Sequence, residues 1–322
     1  MQYTRRDFGR LALTSLPAAA LIERPRIALG GAAVKPNSTI NGVNIGAISY
    51  SYRTMPDQSA EAILRYIVDS GISQVEMMGA AVEAFAGAPQ PVRGGDGRRG
   101  APTPEQQAAQ REAAETLRKW RTSVSMDRFK QLRRMYNDAG VTIYAWKQLS
   151  PNMTDGEVEY VFNVAEALGA THTTLELLED PVQLKRIGQM AEKKKIYAAY
   201  HTHEQGSMTA FDQAFAISKG NMANVDLGHF VAAGGDPIAF MNAFHDRISS
   251  FHLKDRTTPA HGAKNLPWGA GDTPLKDILV LVKKNRWKMP ASIEVEYDIP
   301  RDSDDVKEVA KCLDFCRVAL AV

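Results

Sequence analysis

Cysteine, blocks of like charge and glycine-rich phosphate loops are all scarce in this sequence. Its 322 residues include only Cys312 and Cys316, whose spacing of four puts both on one helix face, where geometry disfavours a mutual disulfide. The net charge of +2 contains no basic stripe of the kind that nucleic-acid binders carry. No predicted strand leads into a dinucleotide or Walker-type loop. These absences argue against nucleic-acid and nucleotide binding, and the cysteines say little about compartment.

The N-terminus carries the pattern of an export signal. Arg5 and Arg6 precede an apolar stretch over residues 11–22 that ends near three alanines, and this pattern resembles a twin-arginine signal. The apolar stretch is too short to span a bilayer. We therefore assign residues 1–35 to a signal and linker, and we expect a periplasmic or secreted protein with no membrane insertion after export.

From about residue 42, short apolar runs alternate with amphipathic helical patterns. This alternation predicts parallel βαβ units, and eight units predict a closed (β/α)8 TIM barrel, an α/β fold, in one domain over residues 42–322. Gly71, Gly140 and Gly169 end helical patterns just before the next strand, which supports the boundaries. The predicted strands span residues 45–50, 74–78, 141–146, 172–177, 196–201, 223–226, 248–253 and 291–295. The predicted helices span residues 60–69, 126–139, 155–168, 181–193, 210–219, 237–244, 275–284 and 305–319.

One stretch interrupts the alternation after the second predicted strand. Residues 80–125 form an insertion, within which residues 87–104 are rich in glycine, proline and arginine and predict a mobile loop. Residues 105–121 predict an added helix. Because the insertion leaves the carboxyl end of a barrel strand, which is the catalytic face, we expect it to form a lid or a substrate-contacting loop.

Acidic and imidazole side chains follow five successive predicted strands, the fourth to the eighth. Parallel strands buried on both faces are otherwise apolar, and their carboxyl ends meet at one rim. Carboxylates combined with imidazole suit Mn, Mg, Co or Zn rather than a thiolate-loving ion. We therefore expect one divalent metal ion at this rim. The residues concerned are Glu176, His201, His203, Asp226, His229, His252, Glu294 and Glu296.

The strand ends resemble those of the xylose isomerase-like barrel family of sugar-phosphate isomerases and epimerases, which includes the ketose 3-epimerases. The resemblance covers about residues 42–320 and implies a cation held by Glu176, Asp226, His252 and Glu294. It also implies that Glu176 and Glu294 move the proton. Glu296 competes for the fourth ligand position because it shares a strand face with Glu294. The motifs that carry the resemblance are Leu175-Glu176, Asp226-Leu-Gly-His229, Phe251-His252-Leu-Lys-Asp255, Gly269-Ala-Gly271 and Ile293-Glu294-Val-Glu296.

Further polar and aromatic residues of the rim are expected to contact the substrate. Lys254 lies two residues after His252, and Trp146 is interpreted as an apolar wall for one face of a sugar. The full set of expected substrate-binding residues is His201, His229, Lys254, Trp146, Glu296 and Glu76.

The reaction implied by the resemblance starts with removal of a proton next to a carbonyl, and a cation stabilises the resulting enediolate. Return of the proton gives an epimerase or isomerase, whereas loss of a β-substituent gives a lyase or hydratase acting on 3-keto-glycosides. For an exported enzyme we expect free or oxidised sugars or cyclitols rather than sugar phosphates. The sequence leaves open the substrate, the metal, and whether the protein forms a homo-oligomer.

Two other classes are disfavoured. Endonucleases of the same superfamily with three zinc ions resemble this site but add histidines after the second and third strands, where this chain has Glu76 and Trp146. The low net charge also argues against DNA. A non-catalytic sugar-binding barrel is disfavoured because the ligand positions are intact.

Overall fold

The computed structural model describes residues 35–89 and 103–321. The predicted signal and most of the predicted mobile loop, residues 1–34 and 90–102, lie outside these described ranges. Nine strands form one sheet within the described ranges. They are β1 Thr39–Ile40, β2 Val43–Ile48, β3 Gln74–Met78, β4 Thr142–Lys147, β5 His172–Glu176, β6 Tyr197–His201, β7 Asn221–Asp226, β8 Ile248–Leu253 and β9 Ala291–Ile293.

Strands β2 to β9 form a closed parallel barrel. Each pairs with the next in chain order, and β9 also pairs with β2, with Ile45 opposite Ala291 and Ala47 opposite Ile293. Strand β1 is antiparallel to β2. Closure leaves no exposed edge among the eight barrel strands, so their backbone groups are paired on both sides. The predicted (β/α)8 barrel is confirmed.

Helices lie between the barrel strands, as the alternation predicted. Two short helices, α2 and α8, were not predicted, because each begins directly where a strand ends and shares its apolar character. No helix in the described ranges is both long enough and apolar enough to cross a bilayer. The helices are α1 Ala60–Asp69, α2 Gly79–Phe85, α3 Pro104–Ser123, α4 Asp127–Asp138, α5 Asp155–Leu168, α6 Pro181–Lys194, α7 Asp212–Ile217, α8 Leu227–Ala232, α9 Pro237–Phe244, α10 Leu275–Asn285 and α11 Asp305–Leu320.

Local side-chain signals explain where the helix before β5 begins and ends. Thr154 and Glu157 form a capping box at the start of α5, in which each side chain bonds the other's backbone N–H. The helix ends at Gly169, whose φ of +75° glycine adopts without the steric cost that a Cβ would bring. This left-handed residue turns the chain into β5 three residues later and so helps to place Glu176 at the rim.

The barrel has an apolar outer layer and a polar interior. Between strands and helices lie fully buried apolar residues such as Phe162, Ile278 and Leu313. Trp146 belongs to this outer layer: it is fully buried, and its indole N–H donates to the carbonyl of Val161 in α5 at 3.2 Å. The prediction of Trp146 as a pocket wall is therefore wrong, because strand alternation turns this side chain towards the helices.

The helix within the predicted insertion, α3, has no buried residue and is held by a charged contact. Arg121 reaches Glu83 Oε1 at 2.8 Å and Glu157 Oε1 at 3.2 Å. The three side chains are only 10%, 8% and 7% exposed, so the pairs are largely shielded from water. Arg121 thus joins α3 to α2 and α5.

We predict that Arg121→Met lowers the free energy of unfolding by about 3 kcal/mol, because the nearly buried carboxylates of Glu83 and Glu157 both lose their closest cationic partner. The matched variant Arg118→Met removes an arginine that is 42% exposed from the same helix and whose contact with Glu157 is longer, at 3.4 Å, so it costs about 0.5 kcal/mol. Denaturant unfolding of both variants measures the difference. Equal losses would show that the Arg121 contact does not hold the helix.

Candidate functional site

Four buried side chains converge at the carboxyl end of the barrel. His201 ends β6, Asp226 ends β7, His252 lies in β8 and Glu294 follows β9. One ligand atom from each of these residues lies within 4.8 Å of the others. The parallel register produces this proximity, since Asp226 stands directly opposite His252. Three of the four predicted ligands therefore come together, and His201 takes the place predicted for Glu176.

The chemistry of this four-residue cluster fits a divalent cation. Two carboxylates and two imidazoles form a mixed oxygen and nitrogen set suited to Mn, Co or Zn. Asp226 uses Oδ1 to accept the backbone N–H of His229 at 2.8 Å, which starts α8. Its buried Oδ2 accepts no hydrogen bond from the described residues, although Lys254 Nζ lies 3.1 Å away. A carboxylate oxygen that is buried and not hydrogen-bonded is a natural cation ligand.

The surroundings of His201 leave one ring nitrogen available. Its Nδ1 lies 2.9 Å from the side-chain oxygen of Asn224. Because that oxygen can only accept, Nδ1 carries the proton and Nε2 keeps its lone pair. Burial and the charge of His252 lower the pKa of His201 to about 3, so the ring is neutral at pH 7.

His252 lies between two carboxylates. Its Nδ1 is 2.9 Å from Glu294 Oε2, and its Nε2 is 2.9 Å from Glu76 Oε2. Burial would lower the pKa of His252, but Glu294 and Glu76 outweigh it and raise the pKa to about 10. The pKa of Glu294 falls well below its usual range, because the charges of Lys254 and His252 outweigh the opposing effect of burial. In the absence of a cation the ring and the carboxylate therefore carry opposite charges, and His252 would have to release its Nδ1 proton in order to bind one.

Lys254 is a buried ammonium in contact with three carboxylates. Its Nζ lies 2.6 Å from Glu296 Oε2 and 3.1 Å from both Asp226 Oδ2 and Glu294 Oε2. Burial would lower the pKa of Lys254, but these charges raise it. Glu296 contacts Lys254 and does not belong to the cluster of four. Of the two glutamates that the sequence offered, Glu294 is thus the cluster member, and its role as the fourth metal ligand stays a prediction.

Glu176 stands at the rim instead of in the cluster. Its side chain is 50% exposed and accepts bonds from Lys147 Nζ at 2.7 Å and His203 Nδ1 at 2.8 Å. Burial would raise the pKa of Glu176, but His203 and Lys147 lower it to about 2. With His201 and His203 it forms a second group of ligand atoms within 4.8 Å of one another. Two ion pairs at the strand end thus explain why Glu176 is not among the four.

Glu76 and His229, which were both predicted to bind substrate, lie in different parts of the barrel. Glu76 is fully buried and contacts His252, so the prediction of a substrate contact is wrong: it is shielded from any molecule entering at the rim. His229, in α8, has a side chain that is 12% exposed and lies 2.8 Å from Lys254 Nζ. Burial and the charges of Lys254 and Arg256 lower the pKa of His229 to about 2, so it is neutral.

A cavity of about 720 Å³ opens next to His229, whose Nε2 lies 4.0 Å from Asp226 Oδ2 of the cluster. Its polar wall comes from His203, Glu204, His229 and Arg256, and its apolar wall comes from Ala232, Ala233 and Ala263. The volume is in the range of small-molecule sites. Arg256 was not predicted. It follows His252 and Lys254 at a spacing of two residues, so the alternation that brings those side chains to the rim could have identified it. The same alternation places Asn224 on the face of Asp226.

Comparisons with known proteins agree with this architecture. A family profile described as xylose isomerase-like TIM barrel matches residues 182–316. An inosose dehydratase from Clostridium beijerinckii is 33% identical over 104 residues, which are 31% of this chain and 32% of that relative. An inosose dehydratase from Clostridium tetani is 26% identical over 139 residues, covering 37% of this chain and 46% of the relative. The chain thus spans less than half the length of either relative.

Solved structures match over most of the chain. A sugar phosphate isomerase/epimerase from Parabacteroides distasonis aligns with TM-score 0.59 and 16% identity, over 87% of this chain and 96% of that one. A probable 3-DHS dehydratase from Bacillus anthracis aligns with TM-score 0.58 and 12% identity, over 87% of this chain and 98% of that one. A D-allulose 3-epimerase from Methylomonas sp., in complex with D-allulose, aligns with TM-score 0.54 and 13% identity, over 88% of this chain and 97% of that one. Together with the closed barrel described above, these matches show that the chain has the fold of the xylose isomerase-like TIM barrels.

Proposed function

We propose that this protein is a divalent-metal-dependent enzyme that removes a proton next to a carbonyl of a polyhydroxylated small molecule. A keto-sugar or a keto-cyclitol is the substrate class. The observation that carries the proposal is the buried cluster of His201, Asp226, His252 and Glu294 beside an open cavity. Converging charged groups next to a cavity are the usual mark of an active site.

The four cluster residues would hold the cation. The cation would supply stabilisation of the negative charge that develops on the substrate's oxygens when the proton leaves. The carboxylate of Asp226 and the neutral ring of His201 are suited to this role, because each presents an atom that the described residues leave without a hydrogen bond.

Glu176 is our candidate for the base. Its low pKa keeps it ionised at neutral pH, and its half-exposed position leaves it accessible from solvent. His203 and Lys147 hold the carboxylate in place through the two hydrogen bonds described above. Glu294 is the second carboxylate for proton transfer, and Lys254 and His229 would bind substrate oxygens. Return of the proton to the opposite face of the same carbon is epimerisation, and return to the neighbouring carbon is isomerisation.

Dehydration is the second candidate, and the names of the relatives favour it. Both curated relatives are called inosose dehydratases, and one structural neighbour is a probable 3-DHS dehydratase. The first step is the same: the C–H bond next to the carbonyl breaks and its proton passes to a carboxylate. The β-hydroxyl then leaves with a proton as water while a carbon–carbon double bond forms. One site thus supports both outcomes.

The first test follows proton exchange and product together. We predict that the Mn²⁺-loaded protein, incubated in deuterated water with inososes, free ketoses and 3-keto-glycosides, incorporates deuterium at the carbon beside the carbonyl of at least one of them. A product of unchanged mass apart from deuterium indicates epimerase or isomerase, and loss of one water indicates dehydratase. Absence of exchange across the whole panel, with metal bound, would refute the proposal.

The second test separates the base from the ligand. We predict that Glu176→Gln lowers turnover by about 10²–10⁴-fold while Mn²⁺ affinity stays within about threefold, since Glu176 is outside the cluster. Glu294→Gln should lower both turnover and affinity. The control His261→Ala changes an exposed histidine of the β8–α10 connection and should leave both unchanged. If Glu176→Gln loses Mn²⁺ affinity as strongly as Glu294→Gln does, Glu176 is itself a ligand.

We also propose export through the twin-arginine signal in residues 1–35. We predict that replacing Arg5 and Arg6 together by lysine keeps the full chain in the cytoplasm, as measured by cell fractionation. Arg24→Lys, outside the pair, should be exported like the parent chain. Export of the double variant would exclude this signal.

A further inference from the structure

A group of polar side chains lies beneath the four cluster residues, inside the barrel. Glu76, His172, Thr174, Asn224 and Ser250 are all fully buried. Burying polar groups costs free energy unless their hydrogen bonds are satisfied. Barrels usually fill this space with branched apolar residues. A polar interior at this depth therefore needs an explanation, and its hydrogen bonds supply one.

Asn224 connects the interior group to His201. Its side-chain nitrogen donates to Ser250 Oγ at 2.7 Å and to Glu76 Oε2 at 3.3 Å. Both amide hydrogens are therefore in use, and the amide oxygen is the atom that faces His201 Nδ1 at 2.9 Å. The ring of His201 must donate there, so its Nε2 points to the cluster as an acceptor.

Glu76 performs the same task for His252. Its carboxylate accepts three hydrogen bonds, from Thr174 Oγ1 at 2.6 Å, from the Asn224 amide at 3.3 Å and from His252 Nε2 at 2.9 Å. Because Nε2 of His252 donates downwards, Nδ1 is the ring nitrogen that faces Glu294 and the cluster. The two histidines thus present opposite ring nitrogens to the same centre.

The network continues to the lower end of the barrel. Ser250 accepts from Asn224 and lies 2.8 Å from His172 Nε2, whose Nδ1 is 2.9 Å from Thr171 Oγ1. Burial lowers the pKa of His172 to about 4, so this ring is neutral and can both donate and accept. Each of these buried groups has at least one partner, and such satisfied networks are rigid.

We propose that Glu76 and Asn224 are positioning residues that select the ring nitrogen with which His252 and His201 bind a cation. The inference rests on the proposed function for the cation, and it assigns Glu76 a role other than substrate contact. Residues that hydrogen-bond the far side of a metal-binding imidazole orient the ring and raise its basicity. The Asn224 amide and the Glu76 carboxylate, which are hydrogen-bonded to each other, orient the rings of His201 and His252 in this way.

The donor count shows why a carboxylate is required at position 76. Three donors converge on Glu76, whereas a carboxamide offers one acceptor oxygen and a nitrogen that is itself a donor. In Glu76→Gln at least one of the three donors must face the amide nitrogen. An isosteric change that removes only the charge and an acceptor therefore disturbs the network.

The test compares two neighbouring threonines. Thr174 and Thr173 are both fully buried, and each hydroxyl makes one hydrogen bond, to Glu76 for Thr174 and to the Trp146 carbonyl on the outer side for Thr173. We predict that Thr174→Val lowers the Mn²⁺ affinity of the full-length chain about tenfold, while Thr173→Val changes it less than about twofold. Glu76→Gln lowers it up to about 100-fold. Calorimetry with Mn²⁺ alone gives all three values.

A second measurement needs neither metal nor activity. The ¹⁵N spectrum of histidine-labelled, metal-free protein should place the His201 proton on Nδ1, and Asn224→Leu should shift it towards Nε2. Equal loss of affinity in the two threonine variants, or an unchanged tautomer in Asn224→Leu, would overturn the inference. If the parent chain binds no Mn²⁺, the proposed function as a cation-dependent enzyme fails. The ¹⁵N spectrum of His201 then still tests whether Asn224 selects the ring nitrogen.

Discussion

The parallel pairing of neighbouring barrel strands is the constraint on which the rest of this structure depends. Because β7 and β8 run side by side, Asp226 stands opposite His252, and the next pairing brings the end of β9 and Glu294 to the same level. Closure of the sheet through β9 and β2 prevents the rim from opening. Side chains distant in the sequence are thereby held within a few ångströms, as a cation site requires.

Concentrating charge in this way has a cost that the local arrangement offsets. An unpaired buried ion is unfavourable by several kcal/mol. Here Lys254 contacts three carboxylates, and His252 is placed between Glu76 and Glu294. Positive and negative groups therefore alternate across the interior. Removing any one of them takes a counter-charge from its neighbours, so ligand variants should be assessed for folding as well as for metal binding.

The likeness to epimerases and to dehydratases has a common physical basis. Both reactions begin with the loss of a proton beside a carbonyl, and both need stabilisation of the charge that then develops. The cluster and the rim carboxylate Glu176 are suited to that shared step. Under the proposed function, the reaction outcome would depend on how the cavity wall, which includes His203, His229 and Arg256, holds the rest of the substrate.

The sequence by itself determined the barrel and the rim, because strand and helix periodicities and strand-end chemistry are local properties. Only the tertiary structure decided the membership of the cluster. Two ion pairs hold Glu176 at the rim, and Glu296 pairs with Lys254 instead of joining the cluster. It also decided the role of Glu76, whose partner His252 is 176 positions away. Periodicity predicts which face a side chain occupies, whereas its final contacts depend on charges brought together by strand pairing.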